Sequence, residues 1–399
     1  LSNSDVSEAL KRFKSKNVEV CFLVPSETGM TKSIMDATRH VREFFRDKEV
    51  HDYDLQRSGE EAKVSIETLL LSGQQVIETK TSLYRPKTKK GDPRIWIYKL
   101  KDHAKSGDLL AISVKDSKLV VVNCSQSDLS SLLNEEGEFS LYFKVDKKEL
   151  TESATELFSM LNEISNRGFI TTLRAGDTGV GYTLETLLNI PANSSRAPDY
   201  KGIEIKSGRK RSTKRGRTTI FSQVPNWNLS RVKEKSKGLL YLRGRYNEKK
   251  GRLQLFHELS TLKTNSYDMM LEIDRENNLL HQVYVDGELV TRDVTWEFSL
   301  LEERLREKHR ETFWVYADSR GKSGDKDEQF HYKALKHTGS VDISAFRVLI
   351  ESGQITLDYT IKEVKKGVAK DQGYLFKIHS KNLNLLFNRV EEYQLGSGL

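Results

Sequence analysis

Residues 174–227 read RAGDTGVGYTLETLLNIPANSSRAPDYKGIEIKSGRKRSTKRGRTTIFSQVPNW, and within them Pro198-Asp199 is followed by Glu204 and then Lys206. A strand alternates its side chains between two faces, so Glu204 and Lys206 project to one side, and Ile203 and Ile205 to the other. The apolar face is expected to be buried, leaving the charged pair toward a cleft or solvent. Gly202 lets the intervening DYKG segment turn the chain, so that Asp199 is expected to approach from the neighbouring strand.

Two carboxylates and an ammonium at one strand end suit phosphodiester hydrolysis. Carboxylate oxygens are the ligand type that magnesium requires, with manganese a substitute, so Asp199 and Glu204 are the expected metal ligands. A bound cation lowers the pKa of its water and stabilises charge on phosphorus. Lys206 would orient or deprotonate that water, or neutralise the phosphate. Glu185, on the expected helix TLETLL, would extend the metal or water shell from the opposite side. The basic run RKRSTKRGR begins at Arg209, Lys210 and Arg211 and is expected to neutralise DNA phosphates. The plainer alternatives are a solvated hairpin with outward charges and a flexible basic loop.

The same stretch holds a decoy. GDTGVGYT (176–183) matches the phosphate loop GxxxxGK[ST] except that Tyr182 stands where the phosphate-contacting lysine must be. Its glycines are expected to form a tight loop that approaches DNA or precedes the helix.

The setting is a chain of 399 residues, long enough for two domains, with 37% hydrophobic and 31% charged residues. The mean hydropathy is −0.59, and no apolar run is long enough to cross a bilayer. The opening LSNSDVSEALKRFKSKN lacks a signal-peptide core, and Cys21 and Cys124 are the only cysteines. A disulfide framework and a cysteine-rich zinc site are thereby excluded, and a bacterial cytoplasm is the expected setting. None of the nine histidines forms an HxxxH zinc pair with a helical glutamate. A net charge of +8 is compatible with a polyanionic partner.

Along the chain, a first helix and the strand VEVCFLV (18–24) precede an expected helix over 33–45. Short strands follow at KVSIETLLL, QQVIETKTSLY, RIWIYKL, DLLAISVKD and KLVVVNC, a pattern for a sandwich or partly open barrel. Helical periodicity in 151–168 (Leu157, Met160, Leu161, Ile164) suggests a domain boundary near residue 150, hence domains 1–150 and 151–399. The remainder alternates helices (TLETLLNI; VTWEFSLLEERLREKHRETF) with strands (GIEIKSG, LLYLRGRY, YDMMLEID, HQVYVDG, ETFWVYADS, GQITLDYTIKE, YLFKIH). That is a mixed α/β pattern without the regular repeat of a doubly wound fold.

The runs RGFITTLRAGDTGVGYTLETLL, APDYKGIEIKS and TIFSQVPNW resemble the MvaI/BcnI family of restriction endonucleases, over roughly residues 155–399. The resemblance implies a PD-(D/E)xK restriction-endonuclease fold acting on double-stranded DNA as a monomer, at short GC-flanked sites such as CCWGG or CCSGG. By position it assigns Glu185, Asp199, Glu204 and Lys206 to the active site. KDQGYLFKIH (370–379) is similar to the family's base-reading segment, so Asp371, Gln372, Lys377 and His379 are implied DNA contacts. Gln372 replaces a histidine there and Lys377 an arginine, and lysine lacks arginine's planar fork. Asp358 is placed on the same reading surface, where an aspartate could accept from cytosine N4.

TSLYRPKTKKGDPRIWIYKL (81–100) is similar to the effector-binding domain of EcoRII-like enzymes, a mostly β DNA-binding pseudobarrel. It implies Arg85, Lys87, Lys89, Lys90 and Arg94 as contacts to a second DNA copy, with Trp96 and Tyr98 expected in the core. The combined expectation is a type IIE enzyme that cuts one site while binding another. A nicking or repair nuclease of the same fold, and a DNA-binding protein that does not cleave, are the alternatives.

Overall fold

The computed structural model describes residues 3–88, 91–134, 136–137, 139–143, 149–190, 198–210 and 216–396. The chain divides into two compact units, one of residues 1–147 with 342–348, the other of 148–341 with 349–399.

The first unit is built on one seven-stranded sheet, in the order Cys21–Leu23, Leu110–Lys115, Lys118–Asn123, Val64–Ser72, Gln75–Tyr84, Arg94–Ile97, Met35–Asp36. Its pairs are antiparallel except Lys118–Asn123 with Val64–Ser72, which is parallel. Alternation along Val64–Ser72 drives the packing: Ile66, Thr68 and Leu70 point into the core while Ser65 and Glu67 face water. Val41, Phe44 and Phe45 of the helix Arg39–Asp47 join the core with Leu83, Ile95, Ile97, Ile112 and Val121.

The helix expected over 33–45 is broken. Ser33 ends the preceding helix Glu27–Lys32 in a left-handed conformation (φ 55°), and Met35 then pairs with Ile95 at the sheet edge. The apolar residues Met35 and Ala37 thus serve a strand, and the helix starts at Arg39.

The second unit carries the DYKGIEIKSG segment. Its first sheet runs Val390–Gln394, Gln329–Thr338, Thr312–Arg320, Glu204–Arg209, with Ile170–Thr171 added to Gln329–Thr338. Glu204–Arg209 is parallel to Thr312–Arg320, registering Glu204 opposite Thr312 and Lys206 opposite Trp314. Leu157, Phe158, Leu161 and Ile164 of helix Glu152–Asn166 share one core with Val180, Leu184, Ile205, Phe313, Val315 and Phe330. Each such side chain contributes roughly 2–3 kcal/mol when fully buried. A five-stranded sheet (Arg217–Ser222, Val368–His379, Ile355–Lys365, Arg252–Leu259, Arg245–Asn247) and a three-stranded meander (Met269–Asp274, Leu279–Asp286, Leu289–Glu297) complete the unit.

Three expectations change here. LLYLRGRY is largely helix, because Leu239 and Leu240 of Lys235–Arg243 are buried on one side and Gly244 ends the run. VTWE closes a strand, and the helix begins at Phe298. Gly179 and Gly181 lie inside the helix Gly179–Leu187 rather than in a loop before it.

Candidate active site

The turn after Asp199 is tight. Tyr200 N donates to Ile203 O (2.9 Å) and Ile203 N to Tyr200 O (2.7 Å), while Lys201 and Gly202 both have positive φ, 43° and 92°. Two left-handed residues in succession make a two-residue hairpin turn, and glycine accommodates the second without strain. The turn folds Asp199 back onto the strand, where its Oδ2 accepts a hydrogen bond from Ile205 N at 2.9 Å.

Glu204 is 0% exposed, so of the two expected settings, a cleft or solvent, open solvent does not hold. Its backbone N donates to Glu311 O at 2.9 Å. Lys206 Nζ donates to its Oε1, and Lys308 Nζ reaches the same oxygen at 2.9 Å. Lys308 is the last residue of helix Phe298–Lys308, and its side chain is 16% exposed. Two ammonium groups from different elements therefore compensate one sealed carboxylate, the condition under which a buried charge is tolerated. The other oxygen, Oε2, is buried with no hydrogen-bond partner among the described residues.

Glu185 is half-buried on Gly179–Leu187, the helix packed along Glu204–Arg209. Burial, then the charge of Asp199, raises its carboxyl above the usual range, opposed by Lys206 and Arg174. The Asp199 carboxyl is raised as well, by burial and then by Glu204, against the hydrogen bond from Ile205 and the lysines Lys206 and Lys308. The structure thus brings Glu185, Asp199, Glu204 and Lys206 together. Among the described residues no three His, Cys, Asp or Glu side chains converge closely enough to chelate an ion by themselves. A divalent cation still fits this donor set. The unpartnered Oε2 of Glu204 offers a lone ligand, the crowded negative charge favours a counter-ion, and magnesium binds through one or two carboxylates while keeping several waters.

Arg209 departs from expectation. Its guanidinium pairs bidentately with Glu328 (2.6 and 2.7 Å) and donates to the carbonyls of Asp177 (3.0 Å) and Gly176 (3.3 Å). With side chains only 8% and 1% exposed, this pair anchors the 176–177 loop, and four of the guanidinium's five N–H donors are taken within the fold. Lys210 is exposed; Arg211 lies outside the described residues.

On the five-stranded sheet, Asp358 accepts from Arg217 and stands 2.8 Å from Lys377 Nζ, and Glu258 lies 3.2 Å from Arg217. The Cα of His379 lies opposite that of Arg217 in the register, and His379 is half-buried. Gln372 is exposed. Asp371 accepts from Ser236 Oγ (2.8 Å) and from Gly373 N (3.3 Å), holding a bend where Gly373 has φ 102°. A β-bulge between Tyr359 and Ile361 lies opposite this bend.

In the first unit, Arg85 donates to Gly91 O (2.8 Å) and Tyr53 O (3.2 Å), and Arg94 pairs with Asp36 at 13% side-chain exposure. Both arginines hold local structure instead of standing free for a DNA backbone. Lys87 is exposed and pairs with Glu61 (2.8 Å), while Lys89 and Lys90 lie outside the described residues. Trp96 is buried as expected, but Tyr98 is 43% exposed. Sequence reasoning missed Lys308 and Glu328, which no spacing rule marks because each meets its partner through tertiary structure. Arg217, the last residue of the basic run expected to neutralise phosphates, pairs instead with Asp358 and Glu258.

The family model for the MvaI/BcnI restriction endonuclease family matches residues 158–387. None of the curated proteins matches the chain. Among solved structures, restriction endonuclease MvaI in complex with its cognate DNA substrate is 23% identical with a TM-score of 0.52, covering 62% of this chain and 99% of that one. MvaI without DNA is 22% identical over the same shares, with a TM-score of 0.38. The likeness to the DNA complex establishes a shared fold over 62% of this chain, and the family match spans more than half of the sequence. The chain belongs to the MvaI/BcnI restriction endonuclease family.

Proposed function

We propose that the chain is a magnesium-dependent type IIE restriction endonuclease that hydrolyses DNA at a CCWGG-type site. The observation carrying this reading is Glu204: a sealed carboxylate with one oxygen on two lysines and the other unpartnered, beside Asp199. Asp199 and Glu204 would hold the cation, with manganese as a substitute. When bound, the ion supplies a more acidic water and charge stabilisation at phosphorus. Lys206, 34% exposed, orients the attacking water or takes its proton. Glu185 faces the same space from its helix and positions the water.

Lys210 and the basic residues after it track the phosphate backbone, while Asp358, Asp371, Gln372, Lys377 and His379 belong to the base-reading surface. The MvaI structure with its cognate DNA supports a duplex as substrate. The first unit binds a second DNA copy as effector through Lys87, Lys89 and Lys90, and the enzyme works as a monomer in the bacterial cytoplasm. Among the described residues no helix is long and apolar enough to cross a membrane.

The test is plasmid digestion with magnesium, with chelator, and with Asp199→Ala and Lys206→Ala, followed by sequencing of the ends. Cutting at one defined site that fails in chelator and in both variants is expected. Retained cutting in both variants defeats the site, and heterogeneous ends defeat the restriction reading. Adding a short duplex of the mapped site should change the plasmid cleavage rate; an unchanged rate removes the effector role.

A further inference from the structure

The loop leading into the helix that bears Glu185 holds a further cation, Arg174, outside the cluster of Glu185, Asp199, Glu204 and Lys206. It is pinned along its length: Thr172 N donates to Glu328 O (2.8 Å), Leu173 N to Thr183 Oγ1 (3.0 Å), and Gly176 N to Gly324 O (2.9 Å). Thr172 Oγ1 donates to Arg174 O at 2.8 Å. A Cβ on Gly179 would come within 2.4 Å of that same carbonyl, so glycine at 179 lets the Arg174 backbone close onto the helix. The backbone of Arg174 is therefore held, although its side chain is exposed.

Among the described residues no carboxylate lies within ion-pair distance of the Arg174 guanidinium. Its carbon stands 3.7 Å from the centroid of the Tyr182 ring. Tyr182 and Glu185 are three apart on one helix and so share a face. The guanidinium thus lies on the Glu185 side of the site, close enough for its charge to act on that carboxyl. A planar guanidinium stacked on a ring keeps its edge N–H groups free, and those edges match the geometry of a phosphate. An ammonium cannot stack in this way. Arginine on an aromatic shelf, on a pinned loop and beside acidic groups, is organised for an anion that arrives with the substrate.

We propose that Arg174, shelved on Tyr182, is a phosphate-binding residue that takes a backbone phosphate of the cleaved strand on the Glu185 side of the scissile bond. The proposal rests on the cleavage reading of Glu185, Asp199, Glu204 and Lys206. Tyr182 is the positioning residue, acting through the guanidinium that it supports.

The experiment is fluorescence anisotropy of a labelled duplex containing one CCTGG site, with calcium in place of magnesium, across a salt series. Arg174→Ala is expected to bind roughly 10-fold or more weakly, with the salt slope reduced by about one, and to melt at the wild-type temperature. Arg174→Lys restores the slope but not the full affinity; Tyr182→Leu lowers affinity and leaves the slope. A series of duplexes, each with one methylphosphonate, should reveal a position where neutralisation weakens the wild type and leaves Arg174→Ala unaffected. Equal sensitivity of both proteins at every position overturns the proposal, as does an unchanged salt slope. Should Arg174→Ala fail to fold, the methylphosphonate series on wild type and Arg174→Lys decides: a position that penalises both alike counts against the stacked guanidinium. A wild type that neither binds nor cuts duplexes of any sequence would instead sink the cleavage reading itself.

Discussion

Lys308 Nζ lies 2.9 Å from Glu204 Oε1, and the same oxygen already receives Lys206 from two residues along the strand. A carboxylate that keeps no contact with solvent is thereby held by a strand lysine and a helix-terminal lysine, with its second oxygen left unpartnered. Sequence separation between Lys308 and Glu204 exceeds a hundred residues, so this pairing belongs to the fold and not to the ExK motif.

Replacing Lys308 with methionine leaves the buried carboxylate with one ammonium. The expected result is a 10- to 100-fold slower single-turnover cleavage, typical of losing a group that orients a metal ligand. The stability loss should be about 1–3 kcal/mol, because Lys206 still compensates the charge. Lys308→Arg should recover part of both. Stopped-time cleavage assays and urea denaturation measure the two effects, and wild-type rates in Lys308→Met would show that Lys206 alone suffices.

The Arg209–Glu328 pair is predicted to be structural. Glu328→Ala strands a nearly sealed guanidinium and releases the carbonyls of Gly176 and Asp177. A stability loss of roughly 3–5 kcal/mol is expected. Cleavage should fall at temperatures well below melting, because the loosened loop leads into the helix carrying Glu185. Thermal melting monitored by circular dichroism, alongside activity, checks this. A change in the salt dependence of DNA binding, without a change in melting, would return Arg209 to the DNA-contact group.

His309 supplies a pH dependence. Burial pushes its imidazole down to about 3, with the Ile220 carbonyl opposing and the nearby lysines assisting. Its Nε2 lies 2.7 Å from Ile220 O and its Nδ1 2.8 Å from Thr312 Oγ1. In the unfolded chain the ring titrates near 6.5. Between that value and about 3 the unfolded state binds a proton that the folded state refuses, so stability drops as the pH falls through this window. His309→Gln should flatten the acid side of a stability-versus-pH curve from urea titrations, at some cost in stability at neutral pH. An acid limb identical to the wild type would assign the effect to other groups.

Asp358 presently masks two cations, Arg217 and Lys377. Asp358→Asn unmasks them, and non-specific DNA affinity should rise while the ratio of specific to non-specific binding falls about tenfold, the worth of one good base contact. Competition binding with mapped-site and scrambled duplexes reads both quantities. Equal weakening on both duplexes would mean that Asp358 supports the sheet instead of discrimination.

The sequence by itself determined the chemistry-bearing segment. Asp199, Glu204 and Lys206 sit within eight residues of one another, and their meeting is governed by a local hairpin turn and the two-residue period of a strand. Short-range rules also located the helix Glu152–Asn166, whose apolar spacing is regular, and two strands of the sheet that carries Glu204, GIEIKSG and ETFWVYADS, but not Gln329–Thr338 or Val390–Gln394 of the same sheet. They failed where a short aliphatic run suits either element, as in LLYL of Lys235–Arg243, and where a strand runs directly into a helix at Phe298.

Tertiary structure decided which charges are available. Arg85, Arg94 and Arg209 read alike as basic residues, yet each is consumed by a carbonyl or carboxylate brought from elsewhere, whereas Arg174 is left on an aromatic shelf. The physical reason is that a charge's role depends on burial and on its nearest partners. Those partners here come from segments far apart in the chain, at separations that no periodicity encodes.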